Sequence, residues 1–527
     1  MKKYLIMVAS LLLSVMGWAD DKPGLVVGIT VNQFYPEWLS IYKNDLGAEG
    51  FNRIMREGKK SMADYNYLFS QTGMDQATIY TGLLPVSHGI VAHDWLDRLS
   101  GKRVNNTESE EYVEIGEGDS LKGYSPEHLQ ALSLGCMMKM NNLFSKVYSV
   151  GMNPEEVVLS GGSCADLALW FNEKSGKWVS SRYYADSLPG WVKEFNNTSA
   201  SDFFVKRGWM PLAEEEGNSL MLKLKNKVGI GSSFYYDIAQ IKRKFNTYRV
   251  LKATPYANTM VTDLAIALIA EAGLGKDNDT DLLTLNYSSL DYMNRDFGVY
   301  AKEFQDMVVR LDRDIARLLS VLDAQVGKGN YTVVLTFSEA RELLPEELER
   351  VRIQGGYFSI FKAVALLKSY LNLIYGDGNW VVDYDGGQVY LNRELIEKNK
   401  LAFKDVQDRV ADFMVEFEGV GKVLPAYSLT RNAFSGGMEQ LMQNAYSQKR
   451  SGDVMYALLP AWVPELKDRE DIYFRYSKRN KVPVYLFGAG VNGRVRKECN
   501  ITDILPTLCG LMGIPVSYTS TGESLME

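Results

Sequence analysis

Histidine is scarce in this chain of 527 residues, with only His88, His93 and His128. Any site that needs several imidazoles must be built from those three. Cysteine is scarce too: Cys136, Cys164, Cys499 and Cys509 are too few for a disulfide-stapled fold. Cys499 and Cys509 are near enough in sequence to pair in an oxidising compartment, and two buried thiols are the favoured reading. There is no excess of positive charge. Lys and Arg number 58 against 65 Asp and Glu, a net charge of −7, and this excludes the electrostatic footprint of a nucleic-acid binder. Beyond the N-terminus no segment has 18 uninterrupted apolar residues, which excludes a membrane-spanning helix in the remainder.

The one long apolar run, Tyr4 to Trp18, follows Lys2 and Lys3. With Gly17 and Ala19 at positions −3 and −1 of a cleavage site, residues 1–19 read as a secretory signal peptide that exports the protein to the periplasm. No cysteine follows the cut to carry a lipid anchor. Removal of Lys2 and Lys3 makes the mature chain two charges more acidic, and its length suffices for one large α/β domain with insertions.

Along that chain, apolar β-branched strands alternate with amphipathic helices. GLVVGITV (24–31), KVYSVGM (146–152), DLLTLNY (281–287), YTVVLTF (331–337) and VPVYLFG (482–488) read as buried strands. Helices are predicted over 47–60, 254–275, 297–325, 404–417 and 502–513, the last capped by Thr502 or Asp503. The alternation predicts a mostly parallel sheet flanked by helices, with functional groups in loops at the carboxyl ends of the strands. Residues 160–250 break the rhythm. They are rich in aromatics (Trp170, Trp178, Tyr183, Tyr184, Trp191) and read as an inserted cap that should pack near those loops. These rings offer either a binding surface or the insert's own core. Residues 380–475 read as a smaller αβ subregion.

The ordered segments GLVVGITVNQF, YNYLFSQTGMDQATIYTGLLPVSHGIVAHDW, LTLNYSSLDYMNRDFG, YTVVLTFSEA, KRSGDV, KVPVYLFGAG and ITDILPTLCGLMGIP resemble the alkaline-phosphatase superfamily, and within it the periplasmic threonine-nucleophile phosphate monoesterases of the Bacteroidota. The resemblance implies the alkaline-phosphatase fold over nearly the whole mature chain. It also implies two zinc ions roughly 4 Å apart, a threonine nucleophile, and an Asn, a Lys and an Arg on the phosphoryl oxygens.

Carried over position by position, the nucleophile falls on Thr72. The phosphate binders fall on His93, Asn153 and Glu155. The metal ligands fall on Asn32, Asp291, Arg295, Ser338, Glu339 and Lys481. Of the ligand-bearing positions only Asp291 keeps the family's residue, so the resemblance is to a degenerate site and no metal cofactor is expected. Arg295 and Lys481 bring positive charge where a dication should sit. The charge arithmetic predicts that Asp291, Arg295, Glu339 and Lys481 converge beside Thr72 as a salt-bridged cluster. Thr72 without metal is read as a relic capping the helix that starts near Gly73, and Asp75 and Gln76 as plugs of the old phosphate pocket. His88 reads as a non-ligand turn residue, and His128 lies far from any strand end.

Three functions compete. The leading one is a periplasmic pseudoenzyme without hydrolytic activity, used for binding a protein partner or small ligand or as part of a larger envelope assembly. The second is an active phosphate monoesterase or phosphodiesterase using Thr72 with His93 or Glu339 as base. The third is a scavenging protein that holds a small ligand in the old pocket.

Overall fold

In the computed structural model, residues 22–116, 122–212, 234–293, 301–338, 340, 342–465 and 481–527 are described. The N-terminal leader and the positions Arg295 and Glu339 lie outside these residues.

The strand predictions succeed because their reasoning is physical. A strand covered on both faces needs apolar side chains on both, and Leu25–Val31 (β1), Asp281–Tyr287 and Tyr331–Phe337 are buried at every position. The central sheet has ten strands. In chain order they are β1, Lys59–Asp64 (β2), Glu114–Ile115 (β3), Val147–Val150 (β4), Leu167–Asn172 (β5), Lys177–Ser181 (β6), Asp281–Tyr287 (β7), Tyr331–Phe337 (β8), Val482–Gly488 (β9) and Glu498–Asn500 (β10). Their spatial order is β10-β2-β9-β8-β1-β7-β4-β5-β6-β3. The inner run β8-β1-β7-β4-β5 is parallel throughout. β9 enters antiparallel to β8 and to β2. The architecture is the mostly parallel, helix-flanked sheet expected.

Four helices matter for the site and the core: Thr72–Thr81 (α1), Pro154–Gly161 (α2), Pro255–Glu271 (α3) and Lys302–Leu322 (α4). α1 lies directly on β1. A Cβ added at Gly28 would come within 2.1 Å of the Tyr80 hydroxyl, so the absent side chain is what lets the helix sit this close.

Several local expectations shift. The helix predicted over 47–60 stops at Glu57, and residues 59–64 form strand β2 instead. The last helix begins at Ile504 after a 3-10 turn over Ile501–Asp503. Asp503 there accepts from the Asn500 amide at 3.0 Å. Of residues 160–250, the first part supplies β5 and β6 to the sheet. Trp170 and Trp178 are buried there, with Phe171 and Tyr124 against them. Among the described residues of the insert, Glu173 and the stretch from Ile241 to Val250 overlook the carboxyl edge near Thr72, continued by Lys252 and Ala253 just beyond it. Within 380–475, strands Val381–Asp385, Gln388–Leu391, Val420–Pro425 and Val454–Leu458 form a separate four-stranded sheet. Buried Asp453 anchors it by pairing with Arg98 and Arg393 at 3.1 and 2.6 Å.

The disulfide joins Cys136 to Cys164, not Cys499 to Cys509, which are buried free thiols. It closes a loop of sequence separation 28 around β4. Cross-linking a loop of that size stabilises by about 3 kcal/mol, mainly by restricting the unfolded chain. The Cys136→Ser/Cys164→Ser double variant should therefore lower the urea midpoint of unfolding and steepen its slope, because the unfolded chain becomes less compact, and reductant should do the same to the parent protein.

Candidate functional site

Two strand ends and two helix starts meet at one point. Asn32 follows β1, Asp291 lies in the 3-10 turn Ser289–Tyr292 after β7, Thr72 opens α1, and Glu155 and Glu156 stand in the first turn of α2. A helix N-terminus favours carboxylates.

Asn32 is the hub. Its Nδ2 donates to Asp291 Oδ2 at 2.8 Å and to Glu156 Oε1 at 3.3 Å, and lies 3.5 Å from Thr72 Oγ1. Thr72 Oγ1 is itself 3.5 Å from Asp291 Oδ2, at the outer limit of a hydrogen bond. Glu156 accepts further from Asn153 Nδ2 at 2.7 Å and Ser288 Oγ at 3.1 Å. No cation pairs with Asp291 among the described residues. Burial pushes the Asp291 carboxyl up to about 7, against the hydrogen bonds from Asn32 and Thr72. Burial and the neighbouring Asp291 push Glu156 up to about 8.

A second cluster stands on the other side of Thr72. Burial alone would raise Glu155, but the charge and hydrogen bond of His93, with Asn106, hold it below its ordinary value. His93 Nδ1 is 2.8 Å from Glu155 Oε2, and Asn106 Nδ2 donates to Oε1 at 2.5 Å. Burial would lower His93, yet Glu155 raises it to about 9, so the two form an ion pair at neutral pH. The pair fits only because residue 73 is glycine: a Cβ there would fall 2.0 Å from Glu155 Oε1.

A third cluster comes from the insert. Lys252 Nζ donates to Asn153 Oδ1 at 2.9 Å and pairs with Glu173 Oε1 at 2.7 Å, with its ammonium over the Tyr292 ring. Tyr292 donates its hydroxyl to the same Asn153 oxygen. Burial lowers the Lys252 pKa, against the attraction of Glu173. Together these groups line a cleft of about 860 Å³, with Phe245, Ile241 and Val250 as an apolar wall.

Asn32, Thr72, His93, Asn153, Glu155 and Asp291 thus converge as the carboxyl-edge argument predicts. Of the predicted cations Lys481 does not join them, and Arg295, like Glu339, lies outside the described residues. The Lys481 ammonium sits 2.7 Å from Glu498 Oε2 at a partly exposed edge of the sheet, because its neighbour Val482 is in register with Ala63 of β2 and the chain enters the sheet on that side. Ser338 Oγ accepts from the Gln33 amide at 3.0 Å. Thr72 is the first helical residue and Gln71 the cap position, so Thr72 does not cap α1. Asp75 is held by Tyr67 and Ser70 rather than plugging the cleft. His88 is buried between Thr78 Oγ1 and the Ile90 amide, a structural role.

Glu156, Lys252 and Asn106 were missed from the sequence. Glu156 had a signal, the acidic first turn of a helix after a strand end. Lys252 and Asn106 had none, because only tertiary packing brings them in.

The family model for type I phosphodiesterase / nucleotide pyrophosphatase matches residues 26–482. The chain belongs to that family. It is 27% identical to the alkaline phosphatase PafA of Elizabethkingia meningoseptica, over 97% of this chain and 95% of that one. It is also 29% identical to a protein of Myroides odoratus named calcium-transporting ATPase, over 96% and 95%. The crystal structure of wild-type PafA superposes with a TM-score of 0.86 at 26% identity, covering 96% of this chain and 98% of that one.

Two zinc ions, which the resemblance implies, do not fit the residues described. Asn32 spends its amide N–H groups on the neighbouring acids, Lys481 is turned onto Glu498, and Ser338 offers a neutral hydroxyl. Among the described residues no group of three or more His, Cys, Asp or Glu is placed to hold a metal. Zinc sites need three or four deprotonated N, S or O donors.

The elevated Asp291 pKa sets a pH dependence. Its ordinary value is 3.8 and its folded value about 7, so the native state binds the extra proton. Stability is then full below about pH 4 and lost as pH rises through 7. Asp291→Asn keeps the oxygen that accepts from Asn32 and removes the charge. It should raise the melting temperature at pH 8.5, by an amount equivalent to roughly 2–4 kcal/mol, and narrow the gap between pH 5 and pH 8.5. Thermal unfolding across that range checks it.

Proposed function

We propose that this protein is a member of the family that has given up zinc-dependent phosphate ester hydrolysis and binds a small ligand in the cleft above Thr72. One observation carries the reading: Asp291, the remaining family ligand, takes its best hydrogen bond from the neutral amide of Asn32 rather than facing other metal donors. An alcohol is a weak nucleophile unless a base or metal activates it. The positions that bind phosphoryl oxygens in the family are here His93, Asn153 and Glu155, and the Glu155 carboxylate takes up the His93 charge that would otherwise favour a phosphate dianion.

Export fits this reading. The Lys-Lys-apolar-Ala pattern of residues 1–19 and the Cys136–Cys164 disulfide both suit an oxidising envelope compartment. Among the described residues no helix is long and apolar enough to cross a membrane.

A second reading has an observation of its own. Asp291 Oδ2 lies 3.5 Å from Thr72 Oγ1 with a pKa of about 7, near the value that suits a general base at neutral pH. In that reading the protein is a metal-free hydrolase with Thr72 as nucleophile. Metal analysis and p-nitrophenyl phosphate hydrolysis on the purified protein separate the two. The binding reading expects no bound zinc and no turnover above a Thr72→Ala control, with or without added zinc. Hydrolysis that Thr72→Ala abolishes would overturn it, and the zinc dependence would then tell the ancestral chemistry from the Asp291-assisted one.

A further inference from the structure

Gln33 Oε1 and Asp291 Oδ1, which line the cleft, and Asn32 Oδ1 and Asn106 Oδ1, whose amides donate to the lining residues Asp291 and Glu155, are sealed from solvent and receive no hydrogen bond. All four are acceptors; the one unpaired donor nearby, Gln76 Nε2, is buried in α1 beside its own unpaired oxygen and does not line the cleft. Native proteins leave few such atoms unpaired, and the four acceptors describe the complement they lack. A phosphate dianion would add acceptors and negative charge to an acceptor-rich, acidic floor. The missing group is a donor.

Charge points the same way. The cations that line the cleft are already engaged. His93 is held by Glu155, Lys252 by Glu173 and Asn153, and Arg249 lies 4.0 Å from Glu173. None touches Asp291. Glu156 faces Asp291 across the Asn32 amide, so two carboxyls share one neutral donor. Above them Phe245, Ile241, Val250 and Tyr292 give the cleft an apolar, partly aromatic wall.

We infer that the cleft binds a primary ammonium bearing an apolar or aromatic tail, the head donating to Asp291 and Glu156 and the tail lying along the Phe245–Tyr292 wall. This rests on reading the site as a binding pocket rather than a zinc hydrolase. An ammonium supplies three donors and no acceptor, and hydrogen bonds to an ionised carboxylate are the strong ones. An aromatic wall adds attraction for the cation itself.

The test is calorimetric titration of the full mature chain at pH 8 with three probes: 2-phenylethylammonium, the matched alcohol 2-phenylethanol, and inorganic phosphate. The ammonium should bind, and the alcohol at least about tenfold more weakly, the ratio expected for losing a charge-assisted hydrogen bond. Phosphate should not bind. Asp291→Asn and Glu156→Gln, each checked for folding by thermal unfolding, should each weaken the ammonium by a similar factor and leave the alcohol unchanged. Equal affinity for ammonium and alcohol, no ammonium binding, or tighter binding of phosphate would each overturn the proposal. A protein that lacks turnover and binds no ammonium would sink this inference alone. One that hydrolyses p-nitrophenyl phosphate with bound zinc would sink the reading beneath it.

Discussion

One amide between two buried carboxyls is the interaction on which the site depends. An ionised carboxylate out of water costs several kcal/mol unless it is paired. Asp291 and Glu156 have Asn32 Nδ2 between them, and among the described residues no cation pairs with Asp291. Burial pushes both carboxyls up toward neutral pH, which lessens that cost. The surrounding groups then sort by charge. Glu155, a few ångströms along the same helix turn, can stay ionised because His93 neutralises it, and Glu173 because Lys252 does. Four acids on one cleft are thus handled in two ways, Asp291 and Glu156 through a shared neutral amide and Glu155 and Glu173 through internal cations.

That arrangement needs the two helices to approach closely. α1 reaches Asn32 only because Gly28 leaves room for Tyr80, and α2 reaches α1 only because Gly73 leaves room for Glu155. Both glycines act through the space they leave, since neither has a left-handed backbone. A methyl at Gly73 would drive Glu155 away from His93 and strand one of the two charges, so the backbone packing and the electrostatics are one constraint.

Much of this was legible in the sequence. Strands buried on both faces announce themselves as continuous apolar runs, and once β1, β4, β7 and β8 were placed, the convergence of Asn32, Asn153, Asp291 and Ser338 at one edge followed from parallel topology. The expectation for Lys481 failed for an equally physical reason. Its place in the chain, just ahead of β9, says nothing about which way the side chain turns, and the antiparallel pairing with β2 brings it to Glu498. Helix 47–60 was overextended because Lys59–Asp64 has the mixed polarity of a strand near the sheet edge, which periodicity read as more helix. Lys252 was invisible because it arrives on the 3-10 turn Tyr248–Ala253 at the end of the insert, and the insert does two things: its first part extends the sheet, and its later described part walls the cleft.

The comparison with PafA places the change of chemistry within a preserved frame. A TM-score of 0.86 at 26% identity means that the backbone holding the carboxyl edge has kept its shape while most side chains have changed. Buried acids gathered for metal would be expected to repel one another and loosen such an edge once the metal is lost. Here the first-strand position is an amide, which turns one potential repulsion into a hydrogen bond donor shared by Asp291 and Glu156. The described residues thus hold the carboxyl edge together through a neutral side chain, beneath the apolar wall of Ile241, Phe245 and Val250.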